Sequence, residues 1–152
     1  MKELLNFAKA SPAAIAAFRG VETYVRSCGL NPALLELIRT RASEINGCAF
    51  CIDMHTKDAR AAGESEQRLY ALPAWREAPF YSERERAALA WTEAVTLLGE
   101  SAVPETLFAE LRQHFSEKEA VDLTMAIIAI NGWNRLAAPF RSPPAGSYQP
   151  RK

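Results

Sequence analysis

Helix start and stop signals punctuate this chain so regularly that the sequence constrains its fold to all-α. Ser11-Pro12 opens a segment to Arg26 that stops at Cys28-Gly29-Leu30, with serine as N-cap, proline at the first helical position and glycine as C-cap. Asn31-Pro32 opens a second, with an apolar stripe of Leu34, Leu35, Ile38, Ala42 and Ile45. Asn46-Gly47 ends it, both residues tolerating the left-handed conformation. A third helix is predicted from Cys48 to Ala62, stopped by Gly63, and a short one from Ser65 to Ala71, broken by Pro73. Ser82-Glu83-Arg84-Glu85 and Ser116-Glu117-Lys118-Glu119 are capping boxes. The first opens a helix to Leu98 and Gly99, the second a helix to Ile130. Between them Val103-Pro104 starts a helix to His114, and Trp133–Phe140 forms a last short one.

Two features qualify this outline. Ile45-Asn46-Gly47-Cys48 is echoed by Ile130-Asn131-Gly132-Trp133, which predicts two helix–Asn-Gly–helix units, only the first carrying cysteines. Val121 to Ile130 is apolar around nearly its whole circumference, so it is either a central core helix or a subunit interface. The 152 residues fit one helical domain over 1–141 followed by an irregular tail, 142–152. Net charge is zero, which leaves no basic footprint for nucleic acid. No long apolar run suggests a membrane span, and the first residues do not resemble a signal peptide, so a cytoplasmic location is expected.

The chemistry concentrates in Cys48-Ala49-Phe50-Cys51-Ile52-Asp53-Met54-His55. On a helix, Cys51 and His55 are one turn apart, with Cβ atoms roughly 5–6 Å from each other. Cys48, Cys51, His55, Ala59 and Ala62 share an arc of roughly 80°. Cysteines at i and i+3 lie within disulfide reach, and a helix N-terminus favours the thiolate. His55 can take the proton of Cys51, or stabilise its thiolate when itself protonated. Cysteine redox chemistry is the leading reading. A zinc site competes, needing about four ligands, for which Cys28, His114 or a carboxylate would have to join. A third reading leaves two structural cysteines beside a core histidine. Cys28 alone reads as a small packing residue, and His114 as a helix-end one. Among acidic residues near the pair, the hairpin at Asn46-Gly47 brings Glu44 to the height of Cys51, whereas Glu36 lies opposite the apolar stripe, where a carboxylate is normally solvated.

Leu34-Leu35-Glu36-Leu37-Ile38-Arg39, with Arg41, Ser43, Ile45-Asn46-Gly47-Cys48, Cys51 and His55-Thr56-Lys57, resembles the AhpD-like alkylhydroperoxidases of the carboxymuconolactone decarboxylase superfamily. The likeness covers residues 32–62, and Asn131-Gly132-Trp133-Asn134-Arg135 adds a weaker echo. It implies a helical fold assembled as trimers or hexamers and a peroxidase activity without haem, flavin or metal. By the same resemblance Cys51 is the peroxide-attacking thiolate, Cys48 the resolving cysteine, and Glu36 and His55 the relay that takes the Cys51 proton. An external dithiol then reduces the disulfide. The resemblance selects Glu36 over Glu44, and requires its face to be covered by another helix or subunit. Phe50 departs from the family pattern, standing where the best-known branch has a second relay histidine; an apolar pocket is expected there instead. Outside this reading stand a protein disulfide oxidoreductase and a helical oligomeric binding protein with vestigial chemistry.

Overall fold

The computed structural model describes residues 2–150, among which there is no strand. Eight helices follow in order: α1 (Phe7–Ala10), α2 (Pro12–Ser27), α3 (Pro32–Ile45), α4 (Ala49–Ala61), α5 (Glu66–Ala71), α6 (Glu83–Thr96), α7 (Glu105–His114) and α8 (Glu117–Phe140). A 3₁₀ turn, Leu72–Ala74, extends α5 at the point where Pro73 breaks it. Both capping boxes form as the sequence requires, at Ser82/Glu85 and Ser116/Glu119. Asn31 caps α3 by accepting from the Ala33 N–H at 2.8 Å. None of the described helices is long and apolar enough to cross a membrane.

Helix α3 is the centre of the molecule, packed against α4, α6 and α8. Its apolar stripe enters the largest core cluster with Val25, Leu111, Leu123 and Ile127. Leu37, on another side, joins a second cluster with Leu69, Leu72, Trp75 and Leu89. The helix is thus buried well beyond its stripe, including the polar side chains of Arg39, Thr40 and Ser43.

The predicted break at Asn131-Gly132 does not occur: α8 runs unbroken to Phe140, so the second helix–Asn-Gly–helix unit and the separate Trp133–Phe140 helix are both corrected. Asn-Gly favours a stop only where the chain needs to turn. At Gly47 it does, with φ at +64°, but Gly132 is helical. The second pair serves packing instead. A methyl group at position 132 would overlap the ring of Phe18, which is held edge-on against Trp133 at 4.7 Å between centroids. The two Asn-Gly pairs nevertheless meet, because Asn46 donates to Asn131 Oδ1 at 2.9 Å. The apolar run of α8 is largely core, with Leu123, Ala126, Ile127 and Ile130 buried; Val121 and Ile128 remain exposed.

Residues 142–150 carry no regular structure but follow a definite course over α4. The Gly146 N–H donates to Asp53 at 3.1 Å, Lys57 to the Tyr148 carbonyl at 3.0 Å, and the Tyr148 hydroxyl to Asp58 at 2.7 Å.

Gly132 yields a test of this packing. In an exposed helix interior, alanine is favoured over glycine by about 1 kcal/mol. At position 132 the overlap with Phe18 reverses the sign, with overpacking costing about 1–3 kcal/mol. Gly132→Ala is therefore expected to lower the thermal midpoint, and adding Phe18→Leu to recover most of the loss. A single variant as stable as the parent would contradict the close approach.

Candidate active site

Cys48 is the N-cap of α4 rather than its first residue, and Cys51 occupies the opening turn. The turn at Gly47 produces this placement, delivering the chain from α3 into α4 with the Cys48 N–H bonded to the Ser43 carbonyl at 3.0 Å. Both thiols are free and each is only 1% exposed. They pack in one cluster with Ala42, Ile130 and Ala137, flanked by Phe50 and Trp133.

Asn134, a buried residue of α8, stands behind the sulfurs. Its Oδ1 accepts from Asn46 at 2.9 Å and its amide donates to Ser43 Oγ at 3.1 Å. That amide also favours the ionised form of both cysteines. The pair is electrostatically unequal. A hydrogen bond from the Cys51 thiol, the backbone N–H groups of Cys51 and Phe50 and the Asn134 amide outweigh burial at Cys48, holding its pKa down to about 7. The same hydrogen bond to Cys48, with burial added, pushes the Cys51 thiol up. The dithiol therefore gives up its first proton from Cys48 and keeps the second on Cys51, which needs a base to release it.

A base stands one turn further along α4. His55 is buried, and its Nδ1 lies 2.8 Å from Glu36 Oε2. The other carboxylate oxygen of Glu36 accepts from Arg39 Nη1 at 2.8 Å, and Arg39 is anchored in turn by Glu22 at 2.7 Å. Burial raises the Glu36 pKa, but the hydrogen bonds and charges of His55 and Arg39 outweigh it and leave the carboxyl below its ordinary value. An ionised carboxylate can only accept, so Nδ1 carries a proton, and in the neutral ring Nε2 holds the lone pair. Nε2 is the one buried side-chain nitrogen or oxygen among the described residues without a hydrogen-bond partner. In its neutral form an imidazole so placed, one turn from Cys51, can serve as a general base.

Glu36 faces α4 of its own chain, which supplies the cover the sequence reading required. Glu44 belongs elsewhere, paired to Arg41 at 2.9 Å within a network that continues to Glu93 and Trp75. Cys28 ends α2 and packs against the main core, and His114 closes α7; neither joins the cysteines. The described residues hold one group with metal-ligand spacing, Glu36, His55 and Asp58 within 4.8 Å, and it includes neither thiol. Both Glu36 oxygens and Asp58 Oδ1 already accept hydrogen bonds there, and the Arg39 guanidinium opposes a cation.

On the far side of the pair lies a cavity of about 330 Å³. Cys48 and Phe50 form one wall, Ala137 and Ala138 of α8 another, and Pro143 and Pro144 of the tail a third. Phe50 meets Tyr148 edge-on at 6.5 Å, so the strap over α4 also helps to shape this opening.

Fold and site together define an all-helical protein with a buried dithiol backed by a carboxylate–imidazole pair. The sequence pattern of the carboxymuconolactone decarboxylase family matches residues 9–94, more than half of the chain, and the protein belongs to that family. YdfG of Bacillus subtilis, itself uncharacterized, is 43% identical over 137 residues, which are 90% of this chain and 93% of that one. A crystal structure from Agrobacterium tumefaciens superposes with a TM-score of 0.90 at 49% identity, covering 99% of this chain and 100% of that one. Its function is unknown, with a suggested identity as the antioxidant defence protein AhpD. The debrominase Bmp8 shares the fold at 24% identity and a TM-score of 0.78, covering 88% of this chain and 72% of its own.

Alkylation of Cys48 by iodoacetamide tests the asymmetry of the pair. Because its pKa lies below that of an ordinary thiol, the thiolate is present above, and lost below, a midpoint near about 7. Asn134→Ala removes a donor and should move the midpoint upward. It also takes one partner each from Asn46 and Ser43, which keep their bonds to Ala42, Asn131 and Arg39, at about 0.5–1.5 kcal/mol per lost hydrogen bond. An unchanged midpoint would exclude Asn134 from the electrostatics of the pair.

Proposed function

We propose that this protein is a thiol-dependent hydroperoxide reductase in which Cys48 and Cys51 form the redox pair. The observation that carries the reading is the His55–Glu36 hydrogen bond, which leaves a basic Nε2 one helical turn from a cysteine whose own pKa is raised. Kinship with AhpD-like proteins supports the same reading.

In the proposed cycle His55 removes the Cys51 proton, and the thiolate attacks the O–O bond of the hydroperoxide. Cys51 becomes a sulfenic acid, and the alkoxide leaves as the alcohol after taking a proton. Cys48, already inclined to ionise, attacks that sulfur; water leaves and a Cys48–Cys51 disulfide forms. Two electrons have passed from the pair to the peroxide, and an external dithiol returns them by exchange. Glu36 and Arg39 act as positioning residues that hold the imidazole in the productive tautomer. No haem, flavin or metal enters the cycle. A cytoplasmic trimer or hexamer is part of the same proposal, and its support is the family resemblance.

Stoichiometric cumene hydroperoxide added to reduced protein should consume two thiols, and peptide mass mapping should find Cys48 joined to Cys51. Cys48→Ser should instead trap a sulfenic acid at Cys51. His55→Ala should slow peroxide reduction by about 10²-fold or more, with Glu36→Gln intermediate. Two free thiols surviving the peroxide would sink the proposal.

A further inference from the structure

The cavity beside the dithiol reaches only one of its sulfurs' residues. Cys48 lines it and Cys51 does not. Cys51 sits on the relay side, one turn from His55, in the same cluster as Ala42 and Ile130. The walls are mostly apolar, from Phe50, Ala137, Ala138, Pro143 and Pro144, with Arg141 as the charged side chain among them. At about 330 Å³ the space falls within the range of small-molecule sites.

We propose that this cavity receives the apolar end of the external dithiol and that thiol–disulfide exchange takes place at Cys48. The proposal rests on the hydroperoxide-reductase reading for the disulfide it reduces. In the first step a thiolate of the reductant attacks Sγ of Cys48. The Cys48–Cys51 bond breaks, and Cys51 leaves as a thiolate that takes a proton from solvent. In the second step the other thiol of the reductant, once deprotonated, attacks its own sulfur in the mixed disulfide. Cys48 is expelled as a thiolate, the reductant departs as a disulfide, and two electrons have entered the pair. The cavity, which Cys48 lines, selects the sulfur in the first step. The lowered pKa of Cys48 makes it a good leaving group in the second.

The reverse reaction passes through the same mixed disulfide and can be followed without peroxide. Cys51→Ser and Cys48→Ser, each with one cysteine of the pair, are mixed with 4,4′-dithiodipyridine, an uncharged aromatic disulfide, and thiopyridone release is timed. Peptide mapping assigns the release to the pair and separates it from Cys28. Cys48 is expected to react about tenfold or more faster than Cys51, because of the two it is the one that lines the cavity. Ala138→Phe in the Cys51→Ser background fills the cavity and should slow Cys48 severalfold, an effect that thiolate content alone does not produce. Ala145→Phe, on the tail side of the same cavity, repeats the measurement should the first variant fail to fold. Equal rates at the two cysteines, or a Cys48 rate untouched by either filling substitution, would overturn the assignment. Failure here would leave the peroxide-dependent thiol loss standing or falling on its own experiment.

Discussion

Burial of α3 on nearly every side is the constraint from which the arrangement of polar groups follows. A helix with Leu34, Leu35 and Ile38 in one core and Leu37 in another leaves only parts of Glu36, Arg41, Glu44 and Ile45 to water beyond its first turn. Each polar side chain it carries must then find a partner inside the protein, since an unpaired buried group costs several kcal/mol. Thr40 and Ser43 return hydrogen bonds to the carbonyls of Glu36 and Arg39. Arg39 lies between Glu22 and Glu36. This chain of pairings fixes one oxygen of Glu36 on Arg39 and presents the other to α4, where His55 takes it. The relay geometry is thus a consequence of satisfying the central helix.

The same logic sets the cysteines apart from each other. Asn46 closes α3, and its amide reaches the Ala42 carbonyl, Asn131 and Asn134 together, tying the end of α3 to the middle of α8. Asn134 is thereby held with its own amide toward Ser43 and the thiols. A thiol pair in that position is not symmetric, because Cys48, as N-cap, has the first N–H groups of α4 beside it, whereas Cys51, already inside the helix, keeps its proton and donates it in a hydrogen bond to Cys48. One cysteine is predisposed to be a thiolate and the other to need a base. The base lies on the side of the cysteine that needs it.

Much of this was legible in the residues. Caps, glycines and capping boxes marked most helix boundaries because those signals act through the backbone within a few residues. Cys48, Cys51 and His55 were legible because i, i+3 and i+4 spacing on one helix is itself a distance. Glu36 was not, since its helical wheel pointed to solvent; its partner comes from a different helix, and only the family likeness selected it. Asn131-Gly132 misled because the same dipeptide that ends a helix also lets Phe18 approach one. Asn134 and the strap of residues 142–150 were missed as site elements. Their partners lie some ninety residues away in the chain, at Asn46, Asp53 and Asp58, and no local pattern encodes such contacts.

Phe50 links these points. Where the best-known branch of the family is read as placing a second relay histidine, this chain has an aromatic ring that packs with the thiol cluster, meets Tyr148 and walls the cavity at Cys48. An imidazole at that position would set a titratable group on the cavity side of the pair. Phenylalanine leaves His55 as the base beside the dithiol, and it stands on the other side. His55, paired with Glu36, lies one turn beyond Cys51, and a mostly apolar space that Arg141 also lines adjoins Cys48. The substitution that departs most plainly from the family pattern is also the one that makes the two halves of the site chemically distinct.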